Sequence, residues 1–248
     1  MSLVAAETRK LTSVWTTAII TAVGLLLIAI GAGFFVFESE LSGEFLGTDA
    51  QVAATVDQIG GMSVIALIVG LLSVTTEFRH ETIGRTFQLT PSRTRVVTTK
   101  MLVGAVYGIA FFVLGLVAVG VVLLASGADL EFGAETVRSV WQGPVGLALM
   151  AVFGVAVGAL LRSQVVAVAL MLIYVFVIES LFVQFLPGIG RWLPFQALNA
   201  MFASEELAAG MGADVGAPLA PMVGLAVFVA YGVVAATAAI VLMRVRDV

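Results

Sequence analysis

The chain has 248 residues, of which 60% are hydrophobic and 11% are charged, and its mean hydropathy is +1.12. Soluble domains carry about one quarter charged residues, so this composition excludes an ordinary soluble fold and indicates a membrane protein. The absence of cysteine excludes disulfides, thiolate metal sites and thiol nucleophiles. The net charge of −4 is small, but the basic and acidic residues are unevenly distributed along the chain.

The apolar residues fall into six uncharged runs, each near the roughly 20 residues that a helix needs to cross a bilayer. We predict spans at about 15–37, 59–76, 101–125, 143–161, 165–182 and 221–243. The first run exceeds the roughly 7–15 apolar residues of a secretory signal, so we expect it to remain as a membrane anchor. Continuous apolar runs favour helices over a barrel. The expected fold is all-α, a polytopic six-transmembrane-helix bundle that forms one domain over residues 1–248.

Positive charges gather on one side of the predicted bundle. Ten of the twelve Lys and Arg residues lie near the two termini or in the connections between spans 2 and 3 and between spans 4 and 5. The other connections are acidic, and Asp49 and Asp57 are assigned to the first of them. Because cytoplasmic loops retain Lys and Arg during insertion, both termini are predicted to be cytoplasmic. We expect a multi-pass protein of the plasma membrane, of the bacterial inner-membrane type.

Glycine pairs recur inside the predicted spans at a spacing of four residues, as in Gly104-x-x-x-Gly108 and Gly154-x-x-x-Gly158. Small residues at this spacing allow two helix backbones to approach closely. We interpret these glycines as helix-packing positions rather than as a specific dimer face.

The connection between spans 2 and 3, residues 77–100, reads EFRHETIGRTFQLTPSRTRVVTTK and holds five basic residues and the only histidine. Its first half, residues 77–88, mixes charged and apolar residues, which predicts a short helix there. Ile83 and Phe87 are four residues apart and therefore share one face of that helix. A helix of this kind suits a membrane surface or a protein surface.

A second helix is predicted to begin directly after the short one. Thr90 is expected to cap it, with Pro91 at its first position. From Pro91 to Ala125 this helix would be about 52 Å long at about 1.5 Å per residue, so its first turns should project beyond the membrane. On charge alone, the favoured interpretation of the connection is a topology signal that also anchors lipid phosphates.

The order of residues in the connection, however, resembles the type-2 family of ATP-binding-cassette (ABC) transporter permeases, which are typically exporters. The matching positions are Glu77, Phe78, Thr82, Ile83, Thr90, Pro91, Arg93 and Lys100. The similarity extends to the six-span layout, to ETRKLTS before span 1 and to LPGIGRWLPFQAL between spans 5 and 6. It implies a cytoplasmic coupling helix over residues 79–88 that docks on a separate ATPase subunit. It also implies an outer re-entrant hairpin over residues 186–198.

The resemblance assigns roles to individual residues of the connection. The expected ATPase-docking residues are Glu77, Arg79, Glu81, Thr82, Ile83, Arg85 and Phe87, and the expected elbow residues are Pro91, Arg93 and Lys100. Buried apolar anchors supply most of the affinity of an interface and rim charges set its register, so Ile83 and Phe87 are the expected anchors. Glu77 is expected to pair with either Arg93 or Lys100.

The sequence contains no phosphate-binding loop of the form G-x-x-x-x-G-K-[ST]. If ATP drives this chain, as the resemblance implies, ATP and magnesium are expected on a partner chain. The resemblance then implies a transport subunit, for which no catalytic, cofactor or metal site is expected. The resemblance implies two ATPase subunits and a second permease, either a copy of this chain or a related one. The remaining expected partner is the lipid bilayer, and nucleic acid is not expected.

Glu179 is the only carboxylate inside a predicted span, and an ionisable group there is a functional hypothesis by default. The alternative function is accordingly an ion-coupled secondary transporter or channel that uses Glu179. The favoured interpretation is a polar residue near the outer headgroups, where the outer hairpin starts. The sequence does not identify a cargo.

Overall fold

The computed structural model describes residues 3–42, 47–90, 92–202 and 217–245. All regular secondary structure within these ranges is helical, which confirms the all-α prediction. Six helical segments there are long and apolar enough to cross a membrane, and we call them spans 1 to 6 in chain order. They are Trp15–Ser39, Asp49–Arg79, Arg93–Ala125, Ala134–Leu161, Gln164–Phe185 and Pro221–Met243. The chain is thus suited to be a multi-pass membrane protein.

The described part of the chain forms helices of very different lengths. They are α1 (Leu3–Ser13), α2 (Trp15–Ser42), α3 (Asp49–Gly61), α4 (Ser63–Arg79), α5 (Ile83–Leu89), α6 (Arg93–Ala125), α7 (Ala134–Leu161), α8 (Gln164–Ile173), a π-helical turn (Tyr174–Ile178), α9 (Glu179–Phe185), α10 (Pro187–Gly190), α11 (Pro194–Phe202) and α12 (Pro221–Val245).

Span 2 differs from its prediction because it begins at Asp49 and consists of two helices, α3 and α4, joined at Met62. The segment that was assigned to the first acidic loop is therefore largely helix. Asp57 lies on α3, and its carboxylate is 3.8 Å from the Arg138 guanidinium of α7. Asp57 thus lies on a helix face that is turned toward α7. A charged residue lowers the local hydropathy in the same way on such a face as in a loop, so hydropathy alone does not distinguish the two. Span 4 likewise begins at Ala134, earlier than predicted, and carries Pro144 inside the helix.

Spans 2 and 4 form the centre of the bundle, since 61% of the most apolar window of each is buried, against 11–33% for the other four. Glycines allow the two helices to touch. A Cβ atom at Gly154 would overlap the carbonyl oxygen of Leu67, and one at Gly70 would overlap that of Ala151. Gly108 of span 3 approaches the backbone of Leu147 in the same way. The glycine pairs are thus packing positions within one chain, as predicted.

The two ends of the bundle differ in charge, as the sequence predicts. The basic end is where α4, α5 and α6 connect, and the acidic end is where α3 and α7 begin. At the acidic end, the Asp49 carboxylate accepts hydrogen bonds from the backbone N–H groups of Gly133, Glu135 and Thr136, at 2.7–3.0 Å. Those groups form the N-terminus of α7, which favours a negative charge. Asp49 therefore joins the start of span 2 to the start of span 4.

The chain folds back on itself after span 5. The short helix α10 packs beside α9, and α11 then packs against α12 and α7. Phe195 and Leu198 of α11 are buried there. At the acidic end, residues 186–198 thus contain α10, a turn and the first part of α11.

Candidate functional site

The candidate site is the connection between α4 and α6 at the basic end. The short helix is found at Ile83–Leu89 and not over residues 79–88, because α4 continues to Arg79. The chain then turns at Glu81, which has a left-handed φ of 56°. The turn is closed by the Thr82 N–H, which donates to the Glu77 carbonyl oxygen at 2.9 Å.

The long helix α6 starts later than predicted, at Arg93. Its N-cap is Ser92 and not Thr90, because the Ser92 hydroxyl oxygen accepts a hydrogen bond from the Arg95 N–H at 3.4 Å. Thr90 is extended and ends α5 instead. Pro91 lies outside the described residues. The long helix therefore begins two residues later than the sequence pattern indicates.

Lys100 is the centre of a buried group of charges at this end. Its side chain is only 3% exposed, and its ammonium lies 2.5 Å from Glu7 Oε2 and 2.8 Å from Glu77 Oε1. It also donates to the Ser73 carbonyl oxygen at 3.1 Å. Of the two partners predicted for Glu77, the structure selects Lys100. A lysine ammonium has three donors, and these three acceptors use all of them.

Lys10 completes the group from the opposite side. Its ammonium is 2.7 Å from Glu7 Oε1, 2.9 Å from Glu77 Oε1 and 3.2 Å from the Thr86 hydroxyl oxygen. Burial lowers the pKa of Lys10, but hydrogen bonds and charge attraction from Glu7 and Glu77 outweigh it, and the pKa is raised. The contribution of Lys10 to stability is therefore complete at neutral pH and is lost only as the pH rises through that raised value.

We call Glu7, Lys10, Glu77 and Lys100 the charge cluster. It contains two acids and two bases, so its formal charge is zero, and every member is hydrogen-bonded to another. The charge cluster joins α1, α4 and α6, and through Thr86 it also holds α5. Glu7 and Lys10 were not among the predicted site residues. One sequence signal could have indicated them. Glu7 is the only acidic residue of α1, which is otherwise basic and amphipathic, and it precedes Lys10 by three residues, the spacing of an ion pair on one helix face.

The other predicted elbow arginine has a different role. Arg93 donates to the Met243 carbonyl oxygen at 2.8 Å, and its guanidinium lies 5.4 Å from the centre of the Phe87 ring. Arg162, at the turn between spans 4 and 5, lies 5.4 Å from the Phe78 ring and donates to the Leu242 carbonyl oxygen at 3.4 Å. Both arginines therefore reach the C-terminal end of α12, where the helix dipole favours positive charge.

The predicted docking residues do not all face outward. Ile83 is only 3% exposed and Thr86 is buried, so this face of α5 packs against the chain itself. Phe87 is half-buried, stacked under Arg93. Ile83 is thus a core residue in this conformation.

The outward surface of the connection is formed by other side chains. Its exposed members are Arg79, His80, Glu81, Thr82, Arg85, Gln88 and Leu89. Leu89 is 87% exposed and is the only large apolar side chain in this set. Among the hydrogen bonds found in the described residues, only one joins a side chain of this set to a distant part of the chain. The Arg79 guanidinium donates it to the side-chain oxygen of Gln164 at 3.2 Å. We call this set the outward surface of the connection.

Glu179 is placed at the acidic end, as expected, but it is fully buried. Its Oε1 accepts from the Phe195 N–H at 3.1 Å and its Oε2 accepts from the Gln196 N–H at 3.2 Å. These two groups belong to the first turn of α11, so Glu179 caps a helix that begins 15 residues later, at Pro194. Local capping rules consider only neighbouring residues, and therefore they do not find this contact.

We predict that Glu179→Leu lowers the free energy of unfolding by about 1–3 kcal/mol, because two buried N–H groups lose their acceptor. Glu179→Gln keeps one acceptor, its carboxamide oxygen, and should lower the free energy of unfolding clearly less than Glu179→Leu. Unfolding of the purified protein in detergent, followed by circular dichroism, measures both. Equal losses for the two variants would show that the charge, and not the capping, matters.

Within the described residues no cluster of three or more His, Cys, Asp and Glu side chains is arranged to hold a metal ion. No family model matches the chain, and no curated protein matches it. The candidate site is a short surface helix whose Thr86 hydroxyl is hydrogen-bonded to Lys10 of α1 and Glu77 of α4. The charge cluster joins these two residues to Lys100 of α6.

Proposed function

We propose that this chain is the membrane-spanning permease subunit of a type-2 ABC exporter, coupled to a separate ATPase through α5 and the turn that precedes it. One observation carries the proposal, namely the attachment of α5 to α1, α4 and α6 through the charge cluster. A short surface helix held in this way transmits displacement to two spans at once. A helix that served only as a topology signal would not require buried ion pairs to position it, because burying charges is costly.

In this proposal the basic end faces the cytoplasm and both termini are cytoplasmic, in the plasma membrane. The partner ATPase binds ATP and magnesium, two copies of it pair with two permeases, and nucleotide-dependent contacts shift the bundle between two states. The force passes from α5 through Thr86 to Lys10 and Glu77. From there it reaches spans 2 and 3. The second permease is a copy of this chain or a related one.

The proposed docking surface is revised by the burial of Ile83. Leu89 takes the role of the apolar anchor, and Arg79, Glu81 and Arg85 remain the rim charges. Apolar residues that a partner desolvates contribute most to affinity, whereas rim charges mainly set orientation and association rate. Glu77 and Lys100 act through the position of α5 and do not contact the partner.

The test is affinity purification of the full chain with its ATPase, identified as a co-purifying chain that contains a phosphate-binding loop. Leu89→Asp should weaken the affinity for the ATPase at least about 30-fold, since an anchor residue contributes about 2 kcal/mol or more, and the amount of co-purified ATPase should fall accordingly. Phe132→Asp is the matched control, because Phe132 is also exposed and apolar but lies at the acidic end. Full retention of the ATPase by Leu89→Asp, or transport by this chain in vesicles without any ATPase, would refute the proposal.

The ion-coupled alternative gains no support from Glu179. Its two oxygens are occupied by the backbone of α11, which accounts for a buried carboxylate without a role in transport. Transport that persists without ATP and stops in Glu179→Gln would favour the alternative.

A further inference from the structure

A cavity of about 650 Å³ lies at the basic end, between α1, the end of α4, α5 and the start of α6. Its volume falls in the range of about 300–1,000 Å³ that is typical of small-molecule sites. Its walls are largely apolar side chains, and the charge cluster lines its inner part. The apolar wall residues are Leu3, Ala6, Leu11, Val14, Leu72, Val103 and, at the outer edge, the exposed Leu89.

The charges at the cavity do not balance. The charge cluster sums to zero, and all its members are bonded to one another. Arg85 also lines the cavity, is exposed, and forms none of the ion pairs found within the described residues. His80 lines it as well and adds a second nitrogen donor. The cavity thus combines a long apolar wall with an uncompensated positive charge.

The cavity also lies at a depth that suits a membrane lipid. The amphipathic helix α1 forms one wall and is followed almost directly by span 1. Val4 is exposed on α1, and Trp15, at the first position of span 1, is 78% exposed. Tryptophan at a span end marks the membrane–water interface, and amphipathic helices lie in the plane of that interface. The cavity is therefore at the level of the lipid headgroups.

We propose that this cavity binds one anionic phospholipid of the membrane, with its phosphate at Arg85 and His80 and an acyl chain along α1, α4 and α6. A free inorganic phosphate would leave the apolar walls unfilled, and an uncharged lipid would leave Arg85 without a partner. The lipid would brace α1 against α5. Arg85 and Leu89 line the cavity and also belong to the proposed docking surface. The lipid proposal nevertheless does not rest on the proposed function, because lipid binding is measured on this chain without an ATPase.

The test is native mass spectrometry of the full chain in detergent, titrated with phosphatidylglycerol and with phosphatidylcholine of the same acyl chains. We expect one phosphatidylglycerol to bind about tenfold more tightly than phosphatidylcholine. Both headgroups carry a phosphate, but the quaternary ammonium of phosphatidylcholine offsets that charge and repels Arg85. Arg85→Glu should abolish the preference. Ala6→Trp should fill the cavity and weaken the binding of both lipids.

Two control variants lie outside the cavity. Arg95→Glu removes an exposed basic residue, and Thr8→Trp adds the same bulk to the exposed face of α1. Both should bind phosphatidylglycerol like the unmodified chain. Equal binding of the two lipids, displacement of phosphatidylglycerol by equimolar inorganic phosphate, or unchanged binding by Ala6→Trp would overturn the proposal.

A photoactivatable phosphatidylglycerol gives a readout that does not depend on how well a variant folds. In the unmodified chain, its acyl-chain label should be found on peptides from α1 and from the start of α6. Labelling confined to the exposed faces of α8 and α12 would show that only surrounding bilayer lipid is bound, and would also overturn the proposal.

Discussion

Lys100→Met is expected to lower the free energy of unfolding by about 3–5 kcal/mol, because removing one partner of a buried ion pair leaves an uncompensated buried charge. Glu7 and Glu77 would then share only Lys10, whose side chain is 45% exposed. This arrangement is unfavourable because two buried carboxylates would be balanced by only one ammonium, which is itself partly solvated. Denaturant unfolding of the purified protein in detergent measures the loss.

The double variant Lys100→Met with Glu77→Gln should be more stable than Lys100→Met alone, since it restores a formal charge of zero to the charge cluster. Such a result is the non-additivity expected of residues in one network. Lys10→Met is the matched control and should cost less than Lys100→Met, because Lys10 is partly solvated. If the double variant is less stable than the single one, the charge balance of the cluster is not what holds the elbow.

Gly154→Leu is expected to lower the free energy of unfolding by at least about 3 kcal/mol, at or above the upper end of the usual cost of overpacking. The added side chain would meet the backbone carbonyl of Leu67, which cannot move aside as a flexible side chain would. Spans 2 and 4 would have to separate, and they form the most buried part of the bundle. The fraction of protein that elutes as a single species from size-exclusion chromatography reports the effect.

Gly120→Leu provides the control for this prediction. Gly120 lies in span 3, and no atom beyond the adjacent backbone of its own helix is within 4 Å of the position that its Cβ would occupy. The control should be neutral or slightly stabilising, because leucine has a higher helix propensity than glycine by up to about 1 kcal/mol. Equal losses for Gly154→Leu and Gly120→Leu would mean that close packing of spans 2 and 4 is not required.

The number and type of the membrane helices follow from the sequence because both depend on local hydropathy. The limits of span 2 do not. Residues 49–58 were predicted to belong to an acidic loop because the segment contains Asp57. In the structure they are helical, and Asp57 is paired with Arg138 on another helix. A charged residue is tolerated in a helix when a distant part of the chain neutralises it, and hydropathy windows contain no information about that partner.

At the candidate site, too, some features follow from the local sequence and others depend on distant parts of the chain. The sequence located the connection and named Lys100 as a possible partner of Glu77. It also placed Ile83 outward, because amphipathic spacing shows which residues share a face but not which side of the helix the bundle covers. The burial of Ile83 and the exposure of Leu89 depend on how α5 lies against α6 and the rest of the bundle.

The sequence alone determined the membrane class, the six apolar helices, the asymmetry of charge between the two ends and the absence of cysteine chemistry. Each of these features depends on the hydropathy, charge or identity of residues that are close together in the sequence. Only the tertiary structure decided that Glu7 pairs with Lys100, that Glu179 caps α11 and that a cavity remains beneath α1. The partners in these contacts are 16 to 93 residues apart in the chain, so only the folded bundle brings them within hydrogen-bonding distance.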